Sequence, residues 1–259
     1  MSYAACPKCA HAPLPMDQAL PAACPACGLV LAKFGTVPVR APRAAEDGEE
    51  GISSVERLAA LLLHVPERVS KLDWTARTAT LAVFALWTLW IWRGVDIRGG
   101  QVGSNFLHMV LLPFHEAGHY AIFRWFGAFI MTLGGTLGQH LLPIVAGYAL
   151  LVRRRDPFGA ALCLWLLGFS TIDMAVYMYD AFDPVLTLLG GATGAESDGH
   201  DWQNIFGDLG LLRRSRGIGL FFGGAGMAMM LAALSWAARL LWLQRARLVD
   251  SDHAEVDPR

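Results

Sequence analysis

Apolar residues in this chain gather into runs long enough to cross a bilayer, separated by short polar stretches. The first run lies between Trp74 and Trp92. Its charge, Arg77, is near one end, and Trp87, Trp90 and Trp92 crowd the other, as an interfacial belt places them. Further runs cover residues 104–126, 127–152, 157–179 and 218–243. The pattern predicts a mostly α fold: a polytopic helical membrane bundle of about five spans, occupying 73–243. Upstream, Val55, Leu58, Leu62 and Val65 recur at helical spacing behind Ser53-x-x-Glu56, a capping box. Residues 53–72 should therefore hold an amphipathic helix, lying on the membrane surface or packed on the bundle. Residues 35–52, with Pro38, Pro42 and the run Glu46-Asp47-Gly48-Glu49-Glu50-Gly51, read as a linker. Residues 244–259 read as a polar tail.

Composition agrees with the pattern. Hydrophobic residues make up 54% of the chain and charged residues 17%, which is more apolar than soluble domains usually are. The net charge of -1 leaves no basic field, so a nucleic-acid partner is not expected. No phosphate loop or dinucleotide fingerprint is present. The first run able to span begins far from Met1, which argues against a secretory signal.

Residues 1–34 carry Cys6-Pro7-Lys8-Cys9 and Cys24-Pro25-Ala26-Cys27, with fourteen residues between the pairs. Each pair can form a turn that aims two thiolates at one metal, and four thiolates close a structural tetrahedral Zn²⁺ site. Gly28 suits a turn that needs positive φ. The segment resembles a zinc ribbon, a module widely used for protein or nucleic-acid contacts. Two disulfides are the competing reading, disfavoured because nothing upstream exports the segment. A domain this small would draw much of its folding energy from the metal. Cys163 lies in an apolar run and reads as packing.

The membrane part carries its own candidate chemistry. His115-Glu116-Ala117-Gly118-His119 sits within the 104–126 run. On a helix, His115 and His119 share one face and can hold one Zn²⁺, while Glu116 can take a proton from a metal-activated water. Polar groups in lipid are costly, so their presence here favours a site over chance. The bland alternative is three polar residues turned into a bundle. His108 shares the same helical face and is a supporting candidate, or a satisfied polar residue near the helix start. The stretch Met131 to His140 is rich in glycine, which suits either close helix packing or a partly unwound segment with an open strand edge.

Asp173, Tyr177 and Asp180 fall on one face of the 157–179 run. Asp173 is either a functional acid or a structural hydrogen-bonding partner. The connection 181–217 contains Asp198-Gly199-His200-Asp201, and either Asp198 or Asp201 could cap a helix starting near Trp202. Two histidines leave a zinc site underfilled. Among Asp173, Asp198, His200 and Asp201, the expected third ligand is His200, with Asp201 in support or, as the close alternative, ligating in its place. Asp198 and Asp173 are then supporting candidates.

Taken together, His115-Glu116-x-x-His119 in a membrane helix, the glycine-rich segment after it and an acidic candidate downstream resemble the site-2-protease family of intramembrane zinc metalloproteases. The resemblance covers about residues 104–205, and its specific part is the His-Glu-x-x-His motif. It implies zinc on His115 and His119, Glu116 activating water, and cleavage of a peptide bond within the membrane. The family's usual Leu-Asp-Gly or Asn-Pro-Asp-Gly context for the third ligand is absent. The expected function is thus a membrane-embedded zinc metallohydrolase, a peptidase, with one structural and one catalytic zinc. The alternative is a non-catalytic membrane adaptor or metal-binding protein whose zinc ribbon is a partner-binding head. Expected partners are membrane lipids, a membrane-protein or peptide substrate and a protein bound by the ribbon. Basic residues flanking the expected spans divide evenly between the two sides, so they assign no orientation. The thiolate site places the ribbon in the cytoplasm and the bundle in the plasma (inner) membrane.

Overall fold

A computed structural model describes residues 3–19, 21–34, 53–104 and 106–249. The expected linker at 35–52 and the last ten residues of the expected tail lie outside the described residues. Two compact units divide at Ile52.

In the first unit, two knuckles of the same design face each other. In one, the Cys6 N–H donates to the His11 carbonyl and the Ala10 N–H to the Cys6 carbonyl. In the other, Cys24 donates to Leu29, and Gly28 donates to Cys24. The residue after each second cysteine has positive φ: Ala10 at 58° and Gly28 at 71°. The turn thus takes glycine at one knuckle and tolerates alanine at the other. Leu31 is buried with Cys6 and Cys24 in the small core beneath them.

The second unit is helical. It comprises α1 (Ser54–Leu62), α2 (Lys71–Gly94), α3 (Phe106–Ala117), α4 (Ala128–Tyr148), α5 (Pro157–Asp180), α6 (Asp201–Asp208) and α7 (Ser215–Arg245). Ser53 and Glu56 form the reciprocal capping box at the start of α1. Strands β1 (Val69–Ser70) and β2 (Leu248–Val249) pair in parallel, with Val69 opposite Leu248. The expected polar tail therefore begins later than the sequence suggests, because α7 continues to Arg245 and β2 follows it.

Three helical stretches among the described residues are long and apolar enough to cross a membrane: Ala128–Arg153, Pro157–Asp180 and Leu212–Arg245. The two earlier runs fall short for separate reasons. The apolarity of α2 is diluted by four threonines, four tryptophans and terminal charges. α3 has twelve residues, a rise of about 18 Å, against a hydrocarbon core of roughly 30 Å. A π turn, Gly118–Ile122, then ends it.

α5 is the central helix, buried along most of its length. Trp165, Phe169, Ile172 and Val176 on α5 meet Leu107 and Leu111 of α3, Ile91 of α2, and Met230 and Ala233 of α7 in the main core. The buried Trp165 indole donates to Thr88 Oγ1 on α2 at 2.7 Å, as a buried N–H requires. α3 and α4 approach closely. A Cβ on Gly118 would strike the Gly134 carbonyl, and one on Gly138 would strike the Phe114 carbonyl. The glycine-rich stretch is therefore a helix packed against the motif helix, not an unwound strand edge.

Candidate metal centre

Three elements deliver one atom each to a single point. His115 and His119 project from the end of α3 and its π turn, and Asp201 is the first residue of α6. His115 Nε2 lies 3.0 Å from Asp201 Oδ2. His119 Nε2 lies 3.1 Å from the same oxygen and 3.1 Å from His115 Nε2. Ligands on zinc at about 2.0–2.1 Å sit roughly 3.3 Å apart at tetrahedral corners. The triangle is close to that spacing, so His115, His119 and Asp201 could hold a metal ion.

The opposite edges of both rings are fixed. His115 Nδ1–H donates to Gln139 Oε1 at 3.0 Å. Gln139 is itself oriented, since its Nε2 donates to the Ser170 carbonyl and Oγ, both at 3.2 Å. His119 Nδ1–H donates to the Met131 carbonyl at 2.7 Å. A carbonyl can only accept, so each imidazole carries its proton on Nδ1 and turns a bare Nε2 toward the shared point. Gly135 on α4 faces that point, and a Cβ there would collide with Nε2 of both histidines.

Asp201 is largely withdrawn from solvent, with 14% of its side-chain surface exposed. Its backbone N–H donates to the Tyr177 hydroxyl oxygen at 3.1 Å.

His200 sits differently from the sequence expectation. Its ring is fully buried. Nε2–H donates to Asp180 Oδ2 at 3.2 Å, and Nδ1 accepts the Gln203 N–H at 3.1 Å. With both nitrogens engaged, direct ligation by His200 does not fit this placement. His200, rather than Asp198 or Asp201, is the N-cap of α6. Asp198 lines the cavity, and its carbonyl accepts from Asn204. Asp173 is buried and accepts from His108 Nδ1–H at 2.8 Å, so these two supporting candidates are partners of each other.

A cavity of about 820 Å³ opens over the triangle. Glu116, Gln139 and Tyr177 line it near the histidines. His108 and Asp173 also line it, and Leu186, Leu188 and Leu189 add an apolar wall. Those leucines belong to the connection after α5, which turns back on itself through a bridge between Thr187 and Thr193. Gly190 and Gly191 at its tip have positive φ.

The four cysteines of the first unit also lie close together. Cys6 Sγ is 3.7 Å from Cys27 Sγ, and Cys9 Sγ is 3.8 Å from Cys24 Sγ. Thiolates at the zinc–sulfur distance of about 2.3 Å sit roughly 3.8 Å apart at tetrahedral corners. All four are free thiols, and the arrangement fits a zinc-ribbon-like site with a structural zinc.

Comparison with protein-family models, with curated proteins and with solved structures found no match.

Sequence reasoning gave no site role to Gln139, Gly135 or the Met131 carbonyl, and it noted Tyr177 only as sharing a helical face with Asp173 and Asp180. Gln139 was detectable in principle, being an uncharged polar residue inside an apolar run. Gly135 and Met131 lie in the glycine-rich stretch, but nothing in the sequence singles out either one.

Proposed function

We propose that the membrane core is a zinc metallohydrolase, a peptidase of the site-2-protease type acting on membrane-associated chains. The convergence of His115 Nε2, His119 Nε2 and Asp201 Oδ2 carries this reading. Two imidazoles and a carboxylate are the donor set of many hydrolytic zinc sites, which leave one position open. When bound, zinc supplies Lewis acidity and makes a nearby water acidic enough to ionise near neutral pH. Glu116, on the cavity wall beside His115, accepts the proton of the attacking water and returns it to the leaving amine. Gln139 and the Met131 carbonyl keep both imidazoles aimed throughout. The apolar wall of Leu186, Leu188 and Leu189 suits a lipid-soluble chain and limits bulk water.

In this reading α2 and α3 complete the membrane-embedded bundle beside the three long helices. Val83, Leu86, Leu89 and Trp90 of α2 are exposed and would face lipid. The ribbon, a protein-binding head, lies in the cytoplasm, where thiolates stay reduced, and the bundle lies in the inner membrane.

The test uses the purified full chain. Wild type should carry two zinc ions and cleave members of a transmembrane-peptide library, read by mass spectrometry. Glu116→Gln should keep both zinc ions and lose about 10²–10⁴-fold in cleavage rate. His115→Ala should keep only the ribbon zinc. Zinc confined to the ribbon in wild type would sink the proposal.

A further inference from the structure

We infer that Tyr177, Asp180 and His200 form a clamp that sets the Asp201 carboxylate against the two imidazoles, making them positioning residues for the metal. This inference rests on the zinc reading above.

The problem the clamp solves is visible in the chain. His115 and His119 are held by α3 and its π turn, but Asp201 arrives after the long connection 181–200. It opens an eight-residue helix. A helix that short has little stability of its own, and a connection that long has many conformations to lose. Yet a metal ligand must be placed to within a few tenths of an ångström. Something outside α6 has to place it.

α5 supplies that placement from one face, through residues three apart. The Tyr177 hydroxyl oxygen accepts the backbone N–H of Asp201 itself. The Tyr177 ring packs on the His200 ring with centroids 4.1 Å apart. Asp180 Oδ2 receives His200 Nε2–H. The same carboxylate accepts the N–H groups of Val185 at 3.0 Å and Leu186 at 3.2 Å. Asp180 therefore ties down both the beginning and the end of the connection. His200 passes the restraint on, because its Nδ1 accepts the Gln203 N–H and so starts α6 at one defined residue. Asp201 is consequently held on its backbone side by Tyr177 and on its preceding residue by Asp180. None of the three clamp side chains contributes an atom to the metal-binding triangle. Packing alone does not account for this set: a phenylalanine at 177 would fill the same space, but only the hydroxyl meets the backbone N–H of Asp201 itself.

The experiment measures cobalt binding by the purified, metal-stripped full chain. Thiolate-to-cobalt charge transfer reports the ribbon, and the weaker visible bands of a nitrogen-and-oxygen site report the core. The variants are Tyr177→Phe and Asp180→Asn, both nearly isosteric, with Ser235→Ala, exposed on α7 and outside the cavity, as a control. The expected result is a fall of about 10–100-fold in core affinity for both clamp variants, the range seen when residues supporting a metal ligand are removed. Ribbon affinity should be unchanged, and Ser235→Ala should stay near wild type. Should Asp180→Asn not fold, Tyr177→Phe decides alone. Wild-type core affinity in Tyr177→Phe overturns the clamp while leaving the zinc reading intact. A wild-type core that binds no cobalt overturns both.

Discussion

His108 and Asp173 meet across α3 and α5, with His108 Nδ1 2.8 Å from Asp173 Oδ1. Asp173 is buried, so this contact removes what would otherwise be an isolated acid inside an apolar bundle. His108→Ala should therefore destabilise the bundle by about 1–3 kcal/mol, the usual cost of a buried group left unpaired. The double variant with Asp173→Ala should lose less than the two single losses combined. Thermal melts in detergent check both outcomes. A fully additive double variant would show that the pair is not coupled.

Gly135 faces the two Nε2 atoms with no room for a methyl group. Gly135→Ala should abolish core metal binding while leaving ribbon metal and helix content in place. Metal content and circular dichroism on the same sample read both, and retained core metal would contradict the geometry.

Gln139 holds the His115 ring through Nδ1. Gln139→Leu keeps the volume but removes the acceptor, and core zinc affinity should fall about 10–100-fold. Chelator competition measures it. A change of less than twofold would mean that the ring needs no such partner.

The cysteine cluster should respond to chelator and to acid in the same direction. Thiolates bind zinc only when deprotonated, so lowering pH makes protons compete and releases the metal. Residues 3–34 should then lose amide protection while the helices of the second unit keep theirs. Hydrogen exchange by mass spectrometry resolves the two regions, and persistent protection in the metal-free ribbon would show that it folds without zinc.

What the sequence by itself determined is local. Cys6 and Cys9, like Cys24 and Cys27, are three apart, so a single turn gathers each pair, and Gly28 marks one turn directly. His115 and His119 share a face because the helix repeats every 3.6 residues. Ser53 and Glu56 cap α1 through a reach of three residues. The long apolar runs fix three helices long and apolar enough to cross a membrane, whereas α2 is less apolar and α3 is shorter than such a helix.

What only the tertiary structure decided is the choice among neighbours. His200 and Asp201 are adjacent, so on a helix they point about 100° apart. Which one meets the imidazoles depends on how α6 docks on α5, and that docking is set by Tyr177 and Asp180, 24 and 20 residues before their respective partners Asp201 and His200. The same holds for the glycine-rich stretch. Its composition allowed a strand edge or a close-packed helix, and the approach of Gly118 to Gly134 chose the helix. Gln139, Gly135 and the Met131 carbonyl become part of the site only because α4 lies against α3. Periodicity describes a helix and its faces; it carries no information about which face of which neighbour arrives, because that is settled by packing of the whole bundle.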